Sequence, residues 1–139
     1  MPQGFATSYA DTKDMAAYQA ALVLGLRMGL SQAKAQEAAR KVGDPGIGWM
    51  DNVLSDPNTA WVAVPYEMWH DRWGTKKNAH LRKLWVTING KTVLCTLGDT
   101  MPHLANITNG AVVDLAPGAQ RAFGLKAPFK VECSWAWAC

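Results

Sequence analysis

The stretch LWVTINGKTVLCTL, at positions 84–97, constrains the fold of this chain more than any other segment. Two apolar, β-branched runs flank Asn89-Gly90, and Asn-Gly supplies the left-handed backbone that a two-residue hairpin turn demands. An antiparallel hairpin is therefore expected here. A lone hairpin is marginal in water and needs further strands to cover its apolar side. Three more short β-forming runs are available, at 61–64, 111–114 and 129–137. The segment PGAQRAFGL reads as one short helix between the last two, with Pro117 in its first turn and Gly124 just past its end.

The first third has a different texture. DTKDMAAYQAALVLGLRMG opens with Asp11 and Asp14, which suit a helix start, and Met15, Tyr18, Leu22 and Leu26 recur at helical spacing. Gly29 ends this helix, and Ser31 caps a second over QAKAQEAARKV that Gly43 and Pro45 terminate. A helical hairpin packed against the main domain is expected. A DNA-reading pair is the weaker alternative, because the second helix is Ala-rich and carries only Lys34, Arg40 and Lys41 as cations. The expected organisation is thus a helical appendage over 1–43 and a β-rich domain with one short helix over 44–139.

Composition closes several routes. With 139 residues, 49% of them apolar and 18% charged, the chain can bury a core without staples. A net charge of +3 is too small to argue for nucleic acid. Positive charge does concentrate in HDRWGTKKNAHLRK, at 70–83. That stretch reads as a solvated loop or hairpin edge, with a patch for an anionic polymer as the sharper alternative. Cys95, Cys133 and Cys139 are an odd count without CxxC spacing, so both a Cys95–Cys133 disulfide and buried thiols stay open. The apolar part of the first helix follows acidic rather than basic residues and is interrupted by Gln19 and Arg27, so neither a secretory signal nor a membrane span is expected.

The candidate chemistry lies in LGDTMPHLANITNGAVVDLAP. Asp99 and Asp114 each end a run of β-formers, separated by a polar loop with His103, Asn106 and Asn109. Each aspartate also has a plain structural use, accepting backbone N–H bonds beside a turn or helix start. His80 and His103 are candidates for orienting a substrate or adjusting a carboxyl pKa, or are surface residues without such a role. Seven tryptophans are many for this length. Trp49, Trp69 and Trp73 are candidates for a sugar-stacking platform or for the core, whereas Trp85 in the hairpin is expected to be core. No HxH, HExxH or paired Cys/His spacing is present, nor any GxSxG, GxxxxGK[ST] or GxGxxG. No metal or cofactor is expected.

The order VAVP, VTINGKTVLCTLGDT, a Gly-containing polar loop, VVDLAPGAQRAFGL and FKVECSW resembles double-psi β-barrel domains. The similarity is to the rare-lipoprotein-A type and the three-aspartate domain of MltA-type lytic transglycosylases, and more distantly to expansins and family-45 endoglucanases. It spans about residues 60–137. The resemblance implies a mainly β fold with α, a small double-psi β-barrel preceded by the helical hairpin. It further implies a domain that cleaves peptidoglycan or a related β-linked polysaccharide of the cell wall, working outside the cytoplasm. Asp99 would be the general acid/base and Asp114 its supporting carboxylate, with Asn106, Asn109 and nearby tryptophans lining the groove. Pro65 stands where three-aspartate domains carry an early aspartate, which favours a second reading, a non-catalytic expansin-like carbohydrate-binding module. A third is an interaction protein that docks through its N-terminal helices.

Overall fold

The computed structural model describes residues 2–10 and 12–138. Six strands, β1 (Gln3–Ser8), β2 (Trp61–Pro65), β3 (Lys83–Ile88), β4 (Lys91–Met101), β5 (Ala111–Leu115) and β6 (Lys130–Trp137), hydrogen-bond in the order β1-β5-β2-β4-β3-β6. β6 pairs back onto β1, so the sheet closes in a ring. The ring mixes parallel pairs, β1 with β5 and β2 with β4, with antiparallel ones. The protein is mainly β with α.

The expected hairpin forms β3 and β4. Asn89 (φ 51°) and Gly90 (φ 78°) both take the left-handed region, which makes a turn whose twist matches that of the strands. Alternate residues then point inward: Leu84, Val86 and Ile88 of β3, Val62 and Val64 of β2, Val113 and Leu115 of β5, and Trp135 of β6 fill the interior. Trp135 donates its indole N–H to the Val112 carbonyl (2.9 Å), which removes the cost of burying that polar group. Cys95 and Cys133 are both free and buried, on β4 and β6, which the intervening β3 separates. Cys139 and Asp11 lie outside the described residues.

Among the described residues five α-helices decorate the ring: α1 (Thr12–Arg27), α2 (Gln32–Arg40), α3 (Tyr66–Trp73), α4 (Lys76–Ala79) and α5 (Pro117–Phe123). Ser31 caps α2 by accepting the Lys34 N–H, and Pro117 opens α5, as their local signals imply. α5 lies so close to the loop before β2 that a Cβ at Gly118 would collide with the backbone carbonyl of Thr59. Gly118→Ala is expected to cost about 2–3 kcal/mol, because backbone rather than a flexible side chain must move. Equilibrium urea unfolding measures it, and an unchanged midpoint would contradict the packing.

Three expectations are corrected. The first 43 residues are not solely a helical appendage: Gln3–Ser8 is a strand of the ring, held between β5 and β6. The helices that follow pack chiefly on each other rather than against the strands. Residues 70–83 are not one loop or hairpin edge: they hold the end of α3, all of α4 and, after a short connection, only the first residue of β3.

Candidate functional site

Register places the two aspartates in one row. Ala63 of β2 pairs with Asp99 of β4 on one side and with Asp114 of β5 on the other, and Asp114 in turn pairs with Thr7 of β1. Strands lie about 4.8 Å apart, so the backbones carrying the two acids are roughly 10 Å apart across β2. A register shift between Val62 and Ala63, which leaves Gly98 of β4 unpaired, brings Asp99 opposite Ala63. Ala63 belongs to a small apolar cluster with Tyr9, Leu54, Met101 and Ala116, separate from the core inside the ring. The row therefore faces outward, beneath Tyr9. Asp99 does not end its strand as expected, because β4 continues through Met101.

Burial governs the chemistry of both acids. It pushes the Asp114 carboxyl up to about 7, and the carboxylates of Asp44, Asp99 and Asp14 add to the rise while the Thr7 hydroxyl opposes it. Asp99 is pushed up to about 6, again chiefly by burial, against the N–H of Thr100, which donates to its Oδ1 (2.8 Å). The Thr7 hydroxyl donates to Asp114 Oδ1 in a short bond between β1 and β5. Among the described residues neither aspartate is in a salt bridge. Burial near carboxylates without a bound cation favours the protonated form.

Tyr9 and Asp44 complete the cluster. The Tyr9 phenol is buried, its hydroxyl has no partner among the described residues, and its pKa is raised well above the usual value by burial and by Asp99, Asp114 and Asp44. Asp44 accepts the Gly46 N–H at Oδ1 (2.7 Å), which fixes it in the loop between α2 and β2. Neither residue stood out in the sequence. Tyr9 follows a strand that only long-range pairing reveals, and Asp44 sits in a GDPG segment that reads as a plain turn.

A cleft of about 350 Å³ adjoins the row, lined by Thr7, Ser8, Asn106, Thr108, Asn109 and Asp114 among others. Asn106 and Asn109 are thus brought together with Asp114, while Asp99 is not in the cleft wall. Asn109 also accepts the Ala111 N–H at Oδ1 (3.0 Å), which leaves its amide N–H₂ for other partners. A larger hollow of about 690 Å³ lies elsewhere, against Phe5, Thr87, Asn89 and Glu132. Its one carboxylate, Glu132, is exposed, so size alone does not mark the chemistry.

The remaining expected site residues are placed elsewhere. Trp49 and Trp69 are not a stacking platform: both are core residues, meeting edge to face at 4.9 Å between ring centres. Trp69 donates its indole N–H to the Thr100 hydroxyl (2.8 Å), beside Asp99. Trp69→Ala is expected to destabilise by about 3–5 kcal/mol, the usual cost of emptying a buried indole site. Chemical denaturation followed by Trp fluorescence reads it, and a loss below about 1 kcal/mol would contradict the burial. Trp73 is half-buried, edge-on to Trp137 and covered by the guanidinium of Arg82 (4.0 Å). Trp85, expected in the core, is 45% exposed on the outer face of β3. His80 Nε2 lies 2.6 Å from Asn52 Nδ2, tying the loop before β2 to the end of α4. His103 packs over Tyr66 (4.2 Å) and pairs through Nδ1 with Glu67 Oε2 (3.0 Å), which anchors one end of the cleft loop to α3. No group of His, Cys, Asp and Glu among the described residues has the arrangement of a metal site.

The fold and site thus define a β-ring domain with an outward-facing, half-buried acid pair, one member of which lines a polar cleft. No protein-family model matches the chain, and no curated protein is significantly similar to it. Among solved structures, the Streptomyces papain inhibitor is similar over 96% of this chain and 92% of its own, with 16% identity and a TM-score of 0.46.

Proposed function

We propose that the ring is a barrel of the double-psi type and that the protein acts on a β-linked cell-wall glycan such as peptidoglycan. The observation that carries this reading is Asp114, a half-buried carboxyl with a pKa pushed up to about 7, in the wall of a cleft lined by Asn106 and Asn109. Asp99, on the far side of Ala63, is the supporting charge.

This exchanges the roles that the resemblance implies for the two aspartates, because only Asp114 reaches the cleft. Glycosidic cleavage needs a proton on the leaving oxygen and stabilisation of a cationic sugar. Asp114 delivers that proton as the anomeric C–O bond breaks. The sugar's own 6-hydroxyl then bonds to the anomeric carbon and returns its proton to Asp114, so one carboxyl serves as acid and then base. The Asn106 and Asn109 amides hold hydroxyl groups of the glycan, and their neutrality avoids lowering the carboxyl pKa.

Purified cell walls are incubated with the wild type and with Asp114→Asn. Release of soluble glycan fragments by the wild type, with binding but no release by the variant, is the expected result. Binding without release by both would support the non-catalytic carbohydrate-binding reading. One observation favours that reading: the second carboxylate is not in the cleft wall. Absence of both binding and release would contradict the proposal.

A further inference from the structure

We propose that the tip of the α1–α2 hairpin is a docking element for an anionic phospholipid surface. The hairpin is anchored at its base, where Met15 and Tyr18 meet the Gly43–Gly46 loop. From there it extends to Leu30, about 15–20 Å away at 1.5 Å per residue. The two helices are in close contact near the tip, where a Cβ on Gly25 would lie 3.2 Å from that of Ala35. Little apolar surface of α1 is covered by this contact. Leu24 is 59% exposed and Met28 74%, and Val23, Leu26 and Leu30 are exposed beside them.

Two features select the occupant. Val23 and Leu26, three residues apart, share one side of α1, while Leu24 points roughly 100–160° away from them, so the exposed apolar side chains occupy two sides of the helix. A flat protein partner covers one side, whereas a medium that surrounds the tip covers both. Charge supplies the second argument. Between Asp14 and Glu37 the chain has no carboxylate, and Arg27 and Lys34 stand exposed on either side of the turn. Long cationic side chains next to buried apolar ones reach back to headgroup phosphates. No helix among the described residues is long and apolar enough to cross a membrane, so the tip lies in the interface. A second copy of the chain would bring like charges together.

The full chain is floated with vesicles of phosphatidylcholine alone or mixed with phosphatidylglycerol. The expected result is partition into the anionic vesicles at least tenfold above the neutral ones. Arg27→Gln/Lys34→Gln is expected to lower it roughly 25-fold, about fivefold for each cation. Leu24→Ser/Met28→Ser/Leu30→Ser is expected to lower it at least tenfold with an unchanged thermal melt, because these side chains are exposed in the folded protein. No partition, equal partition into both vesicles, or undiminished partition of either variant would overturn the proposal. So would a dimer in vesicle-free solution that the apolar variant dissociates, which would assign the tip to a second copy.

Discussion

Asp114→Asn is expected to raise the melting temperature at about pH 8 by roughly 6–12 °C and to leave it nearly unchanged at about pH 4. The sign follows from linkage. The folded protein holds the Asp114 proton up to about pH 7, whereas the unfolded chain releases it near 4. A carboxyl with a raised folded pKa contributes its full stability below the unfolded value and loses it as pH rises through the folded one. Each pKa unit is worth about 1.4 kcal/mol, so charging Asp114 in place costs at most about 4 kcal/mol, and roughly 2–4 after relaxation and water entry. Asparagine never takes that charge, and its side-chain oxygen still accepts from Thr7. Wild-type stability should therefore fall from about pH 4 to pH 8, opposite to a protein whose aspartates are ion-paired. Asp99→Asn is expected to act in the same direction and less, since Asp99 is pushed up only to about 6. Thermal melts of the three proteins across this range provide the check, and parallel curves would contradict it.

The same substitution is expected to lower wall-fragment release by about 10²–10⁴-fold, the usual worth of a positioned general acid. Binding to the walls should change by less than about threefold, because asparagine keeps the shape and hydrogen-bonding reach of the side chain. Asp99→Asn has a different signature. Removing its charge relieves one of the carboxylates that raise Asp114. The alkaline limb of the rate profile should shift to lower pH by less than about one unit, with a loss of less than tenfold at the optimum. Rates measured across the pH range separate the two roles. If Asp99→Asn abolished release while Asp114→Asn retained it, the assignment would be reversed.

What could be read in the sequence follows the range of the interactions involved. The β3–β4 turn and the ends of α5 were legible because Asn89-Gly90, Pro117 and Gly124 act through their own backbone angles. Strand β1 was not. QGFATS has weak local preference, and its pairing partners Ala111–Leu115 and Lys130–Ser134 are more than a hundred residues away. Missing β1 hid Thr7 and Tyr9, so the cluster around the two aspartates was only half visible. Asp99, Asp114, Asn106 and Asn109 could be picked out by type and spacing. Which acid meets the cleft depends on how the distant strands pair and where the β4–β5 loop folds, which no local pattern reports. Tryptophan carries the same ambiguity. Trp69 and Trp85 are alike as residues, and only tertiary packing buries the first and exposes the second.

The proposed chemistry requires a proton held at Asp114 near neutrality. Its direct measurement is an NMR titration of the aspartate carboxyl carbons, with Asp114→Asn identifying the resonance. A midpoint near 7 is expected for Asp114, above that of Asp99. A midpoint at or below about 4, the value of a free aspartate, would contradict it.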